Sequence, residues 1–199
     1  MIVVVGRPGL DANDEVDRPA GLICLAAAAQ SARVELVGSI GDDPAGDRVA
    51  LALGKAGVGH AALLRDPAAV TPRAAGPAGP LPRLDGQDVE LGLAYLADYR
   101  VLVVAEPMDA SVLHAAGRAA EFQGAALIVL VAAAAPSPPG LPDHATVLEM
   151  PAEGEGEGAF AALVGRYGAA LDGGSAPEDA WRDALAAGGW ESSAEPAGD

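Results

Sequence analysis

The chain has 199 residues, 51% of them hydrophobic, which suffices for one sizeable core and sets one domain as the expectation. Its 28 acidic and 12 basic side chains leave a formal net charge of -16, which argues against a nucleic-acid partner and against an anionic membrane surface, since both are held through Lys and Arg. One cysteine and three scattered histidines (His60, His114, His144) exclude an intrachain disulfide and supply no zinc site.

Along the chain, residues 2–5 form a short continuous apolar run closed by Gly6, the pattern of a strand buried on both faces. Comparable runs stand at 34–37, 101–105 and 125–131, with weaker ones at 60–64 and 146–150. Helical segments lie between them. Residues 21–32 are alanine-rich and enclose Cys24, which reads as a buried, inert thiol. Asp43 followed by Pro44 predicts an N-cap with proline in the first helical turn, and Gly57 ends that helix. Residues 88–97 and 109–120 supply two more helices, the second behind a capping Asp109. Strands alternating with helices predict βαβ units, hence an α/β fold with a mainly parallel sheet.

The stretches 65–84 and 133–144 are rich in Pro, Gly and Ala without a period and read as long loops. One domain over 1–187 is expected, with a frayed acidic tail over 188–199. No apolar run is long enough to span a bilayer, and residues 1–5 are too short and lack the basic start of a signal peptide, so a cytoplasmic location is expected.

The most specific segment is 26–59, in which an Ala-rich helix leads through Val34, Leu36, Val37, Gly38, Gly41, Asp42, Asp43 and Gly46 to Ala56, Gly57 and Val58. It resembles the N-terminal block of the ribokinase (PfkB) carbohydrate kinases, whose wording is V-x-L-V-G-x-x-G-D-D-x-x-G and then A-G-V. That resemblance implies a three-layer ribokinase-like, Rossmann-like sheet with helices on both faces. The implied activity is ATP-dependent, Mg-assisted phosphorylation of a sugar or nucleoside hydroxyl. Asp42, Asp43 and Asp47 could suggest a metal site, but their spacing reads as a capped turn, so no metal ligand is assigned.

Asp11, after the first strand and the loop 7–10, occupies the place where the family's aspartate binds substrate hydroxyls; the competing reading is a turn-capping carboxylate. The connection from Asp11 to the next helix is short, so the lid that covers the family's substrate is expected to be largely absent. The family's Gly-Gly pair and Asn before the Ala-rich helix are missing too. Asp17, Arg18, Pro19, Ala20, Gly21 and Leu22 stand there instead.

The family's phosphate-binding signature, D-T-x-G-A-G-D at a helix N-terminus, corresponds here to residues 153–158, Glu153, Gly154, Glu155, Gly156, Glu157 and Gly158. On that resemblance Gly154, Gly156 and Gly158 would cradle phosphate. Two alignments stand. One puts Gly158 at the position of the catalytic aspartate and removes the base, and the other leaves Glu157 as base. In both, Glu155 enters the phosphate cradle, where a carboxylate takes the N–H groups that phosphate needs and repels it. A third reading takes Glu155 and Glu157 as helix-start acids on a glycine turn. Part of the nucleotide-side scaffold before residue 153 is expected to be deleted. The expected function is therefore a ribokinase-like protein with impaired or lost phosphotransfer. The alternative is a non-catalytic ligand-binding, regulatory or assembly subunit on the same fold.

Overall fold

The computed structural model describes residues 1–74, 79–151 and 157–188; the expected tail beyond 188 lies outside the described residues. A six-stranded sheet forms the middle layer, built from β1 (Ile2–Gly6), β4 (Val34–Gly41), β5 (Gly59–Asp66), β6 (Val101–Val104), β7 (Ala126–Val131) and β8 (Thr146–Glu149). Their order is β5-β4-β1-β6-β7-β8, and every neighbouring pair runs parallel. The remaining strands, β2 (Gly9–Leu10) and β3 (Val16–Asp17), make a separate antiparallel hairpin of two residues a side. That hairpin is all that stands between β1 and the first helix, where the resembling family builds its lid.

The layers follow from side-chain alternation within the apolar strands. In β1, Ile2 and Val4 join the core beneath α1 (Arg18–Ala29), α2 (Pro44–Lys55), α5 (Glu157–Asp172) and α6 (Pro177–Gly188). Val3 and Val5 point to the other face, under α3 (Gly86–Ala94) and α4 (Ala110–Gln123). β6 and β7 repeat this, with Val101, Val103, Ile128 and Leu130 on the first side and Leu102, Val104, Leu127 and Val129 on the second. Each such side chain contributes roughly 1.5–3 kcal/mol by leaving water. The α1–α5 contact is tight because Gly165 has no Cβ: one built there would lie 2.6 Å from the Ala26 Cβ and 3.0 Å from the Ile23 carbonyl oxygen. Among the described residues no helix is long and apolar enough to cross a membrane.

Element boundaries moved where pairing, not composition, sets them. The weak run at 60–64 extends to the eight residues of β5 because β4 offers a parallel partner from Glu35 to Gly41. The first helix begins at Arg18, three residues before its alanine-rich stretch. Asp109 occupies the N-cap of α4 without a side-chain hydrogen bond, and Gly124 ends that helix in the left-handed region at φ +64°.

Asp43 is the N-cap of α2 and does more than cap it. Its Oδ1 accepts from the Gly46 N–H at 2.7 Å and from the Thr71 hydroxyl at 2.8 Å, and its Oδ2 accepts from the Thr71 N–H at 2.8 Å. The buried Thr71 oxygen in turn accepts from the Gly41 N–H at 3.0 Å. This knot ties the end of β4, the start of α2 and the loop after β5 together. Asp42 and Asp47 instead face Arg65, at 3.6 and 2.8 Å. Partial burial works against the Asp43 carboxylate, but the hydrogen bonds from Thr71 and Gly46 outweigh it and hold its pKa below the ordinary aspartate range.

Asp43→Ala should cost about 2 kcal/mol in urea denaturation, whereas Asp42→Ala should stay within about 0.5 kcal/mol. Because the folded pKa is depressed, the Asp43 contribution is complete above about pH 4 and disappears as pH falls through the folded value. An Asp43→Ala cost that does not shrink on acidification would contradict this assignment.

Candidate functional site

In an open parallel sheet, ligands bind at the carboxyl ends of the strands, where successive connections depart in opposite directions. Here the chain leaves β1 toward β4 and leaves β6 toward β7, on opposite sides. The switch point therefore lies between the ends of β1 and β6, bounded by Gly6 and Arg7 on one strand and by Ala105 and Glu106 on the other.

Glu106 is buried at this point, one of three buried polar or charged residues among those described. Its Oε1 accepts from the Arg7 backbone N–H at 2.7 Å and from Arg7 Nη1 at 3.2 Å. Arg7 is itself fixed, its Nε donating to the Pro82 carbonyl at 2.7 Å and its Nη1 reaching Met108 Sδ at 3.6 Å. The other oxygen, Oε2, faces only Arg18 Nη2, at 3.8 Å, an ion-pair distance but not a hydrogen bond. Half of the carboxylate is saturated and half is not.

Arg18 reaches this position at a cost. It is the first residue of α1 and holds φ +68°, a region favoured by glycine, which costs a side-chain-bearing residue about 1–3 kcal/mol. Its stem passes over Gly9, where a Cβ would lie 2.8 Å from Arg18 Cδ, and its Nε is buried without a partner among the described residues.

Asp11 lies at the turn of the β2–β3 hairpin, with its carboxylate folded back on the turn. Oδ1 accepts from the N–H groups of Asn13 at 2.7 Å and Glu15 at 2.9 Å, and Oδ2 accepts from Asn13 Nδ2 at 3.2 Å. The Glu15 N–H first, and then those of Asn13, hold its carboxyl below the usual carboxylate range against a smaller opposing effect of desolvation. Three of its roughly four acceptor positions are thus taken by its own turn.

Gly154 and Gly156 lie outside the described residues, as does the Glu157 side chain. The backbone of Glu157 opens α5, and Gly158 follows in its first turn, with open space where a Cβ would stand. The donor set at this end suits a polyphosphate poorly. In sequence this stretch carries Glu153, Glu155 and Glu157, and no Lys or Arg occurs between Arg118 and Arg166. No step through ATP or Mg is derived from these residues.

Sequence reasoning missed Arg7 and Glu106. A signal was present, an acid directly after the apolar run at 101–105 and before Pro107, but it is weak in a chain of 28 acids. A cavity of about 660 Å³ between α3 and α4 stands away from the switch point. The β1–β6 crevice holds the buried charge of Glu106, with the Arg18 guanidinium beside it.

No protein-family model matches the chain, and no curated protein sequence does. Solved structures do. The fold is ribokinase-like. A putative ribokinase II from E. coli, in complex with ATP and Mg, superposes with a TM-score of 0.65 at 12% identity over 94% of this chain and 91% of that one. The Arabidopsis thaliana ribokinase, complexed with ribose and ATP, gives 0.66 at 14% identity over 94% and 90%. The ribokinase of Cryptococcus neoformans var. grubii serotype A, in complex with ADP, gives 0.60 at 18% identity over 94% and 92%. The likeness is one of fold, and what this ribokinase-like chain does is carried by its own side chains.

Glu106→Ala should leave two guanidinium groups without their counter-charge and cost about 3 kcal/mol in chemical denaturation. Arg18→Gly removes the backbone strain together with a half-exposed, loosely held ion pair, and should unfold within about 1 kcal/mol of the parent. A loss above about 2 kcal/mol for Arg18→Gly would show that the Arg18–Glu106 contact is strong.

Proposed function

We propose that this ribokinase-like protein binds a small hydroxylated ligand of the sugar or nucleoside class at the β1–β6 crevice, in the cytoplasm, with phosphotransfer impaired or lost. The observation that carries the reading is the half-satisfied Glu106 carboxylate, whose Oε1 is saturated by Arg7 while Oε2 has only Arg18 at 3.8 Å. The Oε2 of this largely buried side chain keeps some solvent access, and a carboxylate oxygen is a strong acceptor for a hydroxyl. A ligand O–H donating to Oε2 displaces the Arg18 guanidinium toward solvent, where that side chain is already 40% exposed. Arg7 keeps its hydrogen bonds to Oε1 throughout and holds the carboxylate in place.

Loss of transfer is supported by the other half of the site. A phosphoryl group in flight needs positive charge on its oxygens and closure against water. The chain offers glutamates at 153, 155 and 157, no cation between Arg118 and Arg166, and a two-residue hairpin in place of a lid. The two roles of Asp11, substrate contact and turn cap, weigh differently against its hydrogen bonds: the turn uses most of its acceptor capacity, so Asp11 shapes the hairpin beside the ligand more than it grips the ligand. If transfer did persist, ATP and Mg would be required and Glu157 would be the base. A role as an assembly subunit is favoured by a separate observation, the apolar face of α3 and α4.

Isothermal titration with ATP or ADP plus Mg should give no heat at millimolar ligand, and coupled assays with aldopentoses and nucleosides should release no ADP. Glu157→Gln should leave these results unchanged. Sugar or nucleoside binding should weaken about tenfold or more in Glu106→Gln, since an acceptor charge is lost at an unchanged shape. ADP release that falls by orders of magnitude in Glu157→Gln would establish an active kinase.

A further inference from the structure

Half of the exposed large hydrophobics identified among the described residues lie on or beside α3 and α4: Leu91 at 56%, Tyr95 at 79% and Phe122 at 89% exposure, with Phe122 lining the groove between these helices. Between these helices runs the groove of about 660 Å³. Its floor includes Leu93, Leu96 and Tyr99, and small residues on α4, Ala115 and Ala119, keep it open beside Phe122. The groove is also lined by Asp85 and Glu90 on the α3 side and by His114 and Arg118 on α4; Asp85 pairs with Arg83, while Glu90 and Arg118 are in no salt bridge among the described residues.

From this face we infer that the protein forms a two-fold dimer in which the Phe122 of each protomer fills the α3–α4 groove of the other. Charge and helix register both point to a second copy. The helices follow the parallel strands in the same sense and are in step at their starts, where a Cβ on Gly86 would lie 2.6 Å from the Ser111 carbonyl oxygen. Counting about 1.5 Å per residue, Glu90 stands about 6 Å along α3, and Arg118 and Phe122 stand about 10 and 16 Å along α4. Leu96, just past α3, lies about 15 Å along the same line.

A two-fold axis running along the groove lays α3 of one protomer over α4 of its partner and preserves these heights. Phe122 then meets the apolar end of the partner's groove near Leu96 and Tyr99, and Arg118 comes within a helical turn of Glu90 across the interface. Across the axis the Glu90 and Arg118 charges of this face are thus complementary. That matters in a chain of net charge -16, because a copy supplies its own scarce cation where the two acidic molecules meet. A buried aromatic anchor bounded by exposed ion pairs is the usual anatomy of such a contact.

Sedimentation equilibrium of the whole chain in about 0.15 M salt tests this, a concentration that screens the long-range repulsion between copies. The parent should be a dimer at tens of micromolar, and Phe122→Glu should raise the dimer dissociation constant at least about tenfold with an unchanged circular dichroism spectrum. Arg118→Glu and Glu90→Arg should each weaken self-association, and mixing the two variants should form heterodimers, because the swapped charges pair only between chains. A monomeric parent, a dimer insensitive to Phe122→Glu, or mixed variants that stay apart would each overturn the proposal. So would a dimer lost only on adding a small ligand to the groove while Phe122→Glu still dimerises.

Discussion

β1 has no exposed position between Val3 and Gly6, and Ile2 is 1% accessible, so both of its faces must be covered by other parts of the chain. Alternate side chains therefore recruit α1 and α5 to one face and α3 and α4 to the other, and the strand becomes the centre of a parallel sheet. Once β1 is central, the connections out of β1 and β6 diverge, and the crevice between their ends is the one place where the sheet opens to a ligand by topology. Glu106 and Arg7 stand there as a consequence of that order, although they are separated by 99 residues in sequence.

Few residues of this chain line the crevice between the ends of β1 and β6. Neighbours of the same fold are described with ribose, ATP and ADP, which belong to those proteins. In this chain a positive-φ arginine enters the crevice from the first residue of α1, while Pro72 and Ala74 run beside Leu10 through backbone hydrogen bonds of 2.9 Å. The strained Arg18 stays because Pro19, the buried Ala20 and the packing of α1 on α5 fix the start of the helix. Among the described residues, the same frame leaves the α3–α4 face uncovered on the far side of the sheet.

Much of this was legible in the sequence. The apolar runs at 2–5, 34–37, 101–105 and 125–131 all became strands of the sheet, since continuous burial on both faces leaves a continuous apolar signal. Asp43 and Pro44 predicted a helix start, and Asp43 is its cap. β5 was under-read because an edge strand carries polar residues and is defined by pairing with β4. The α1 start escaped because Arg18 adopts a backbone conformation that its side chain disfavours. Asp11 was left between two roles, and its hydrogen bonds with Asn13 and Glu15, all within four residues, now describe a turn. Glu106 leaves only a weak local signal: an acid before a proline acquires meaning only when β6 is laid beside β1.

The central claim is that Arg18 occupies a ligand crevice whose acceptor is Glu106 Oε2. The most direct test is a calorimetric titration of aldopentoses and nucleosides into the parent protein and into Arg18→Gly, which glycine's tolerance of positive φ should leave folded. Tighter binding of at least one of these ligands by Arg18→Gly is the predicted result, since the competing guanidinium is gone while Arg7 still holds the carboxylate. Equal or weaker binding in the variant, or no binding by either protein, would contradict the account.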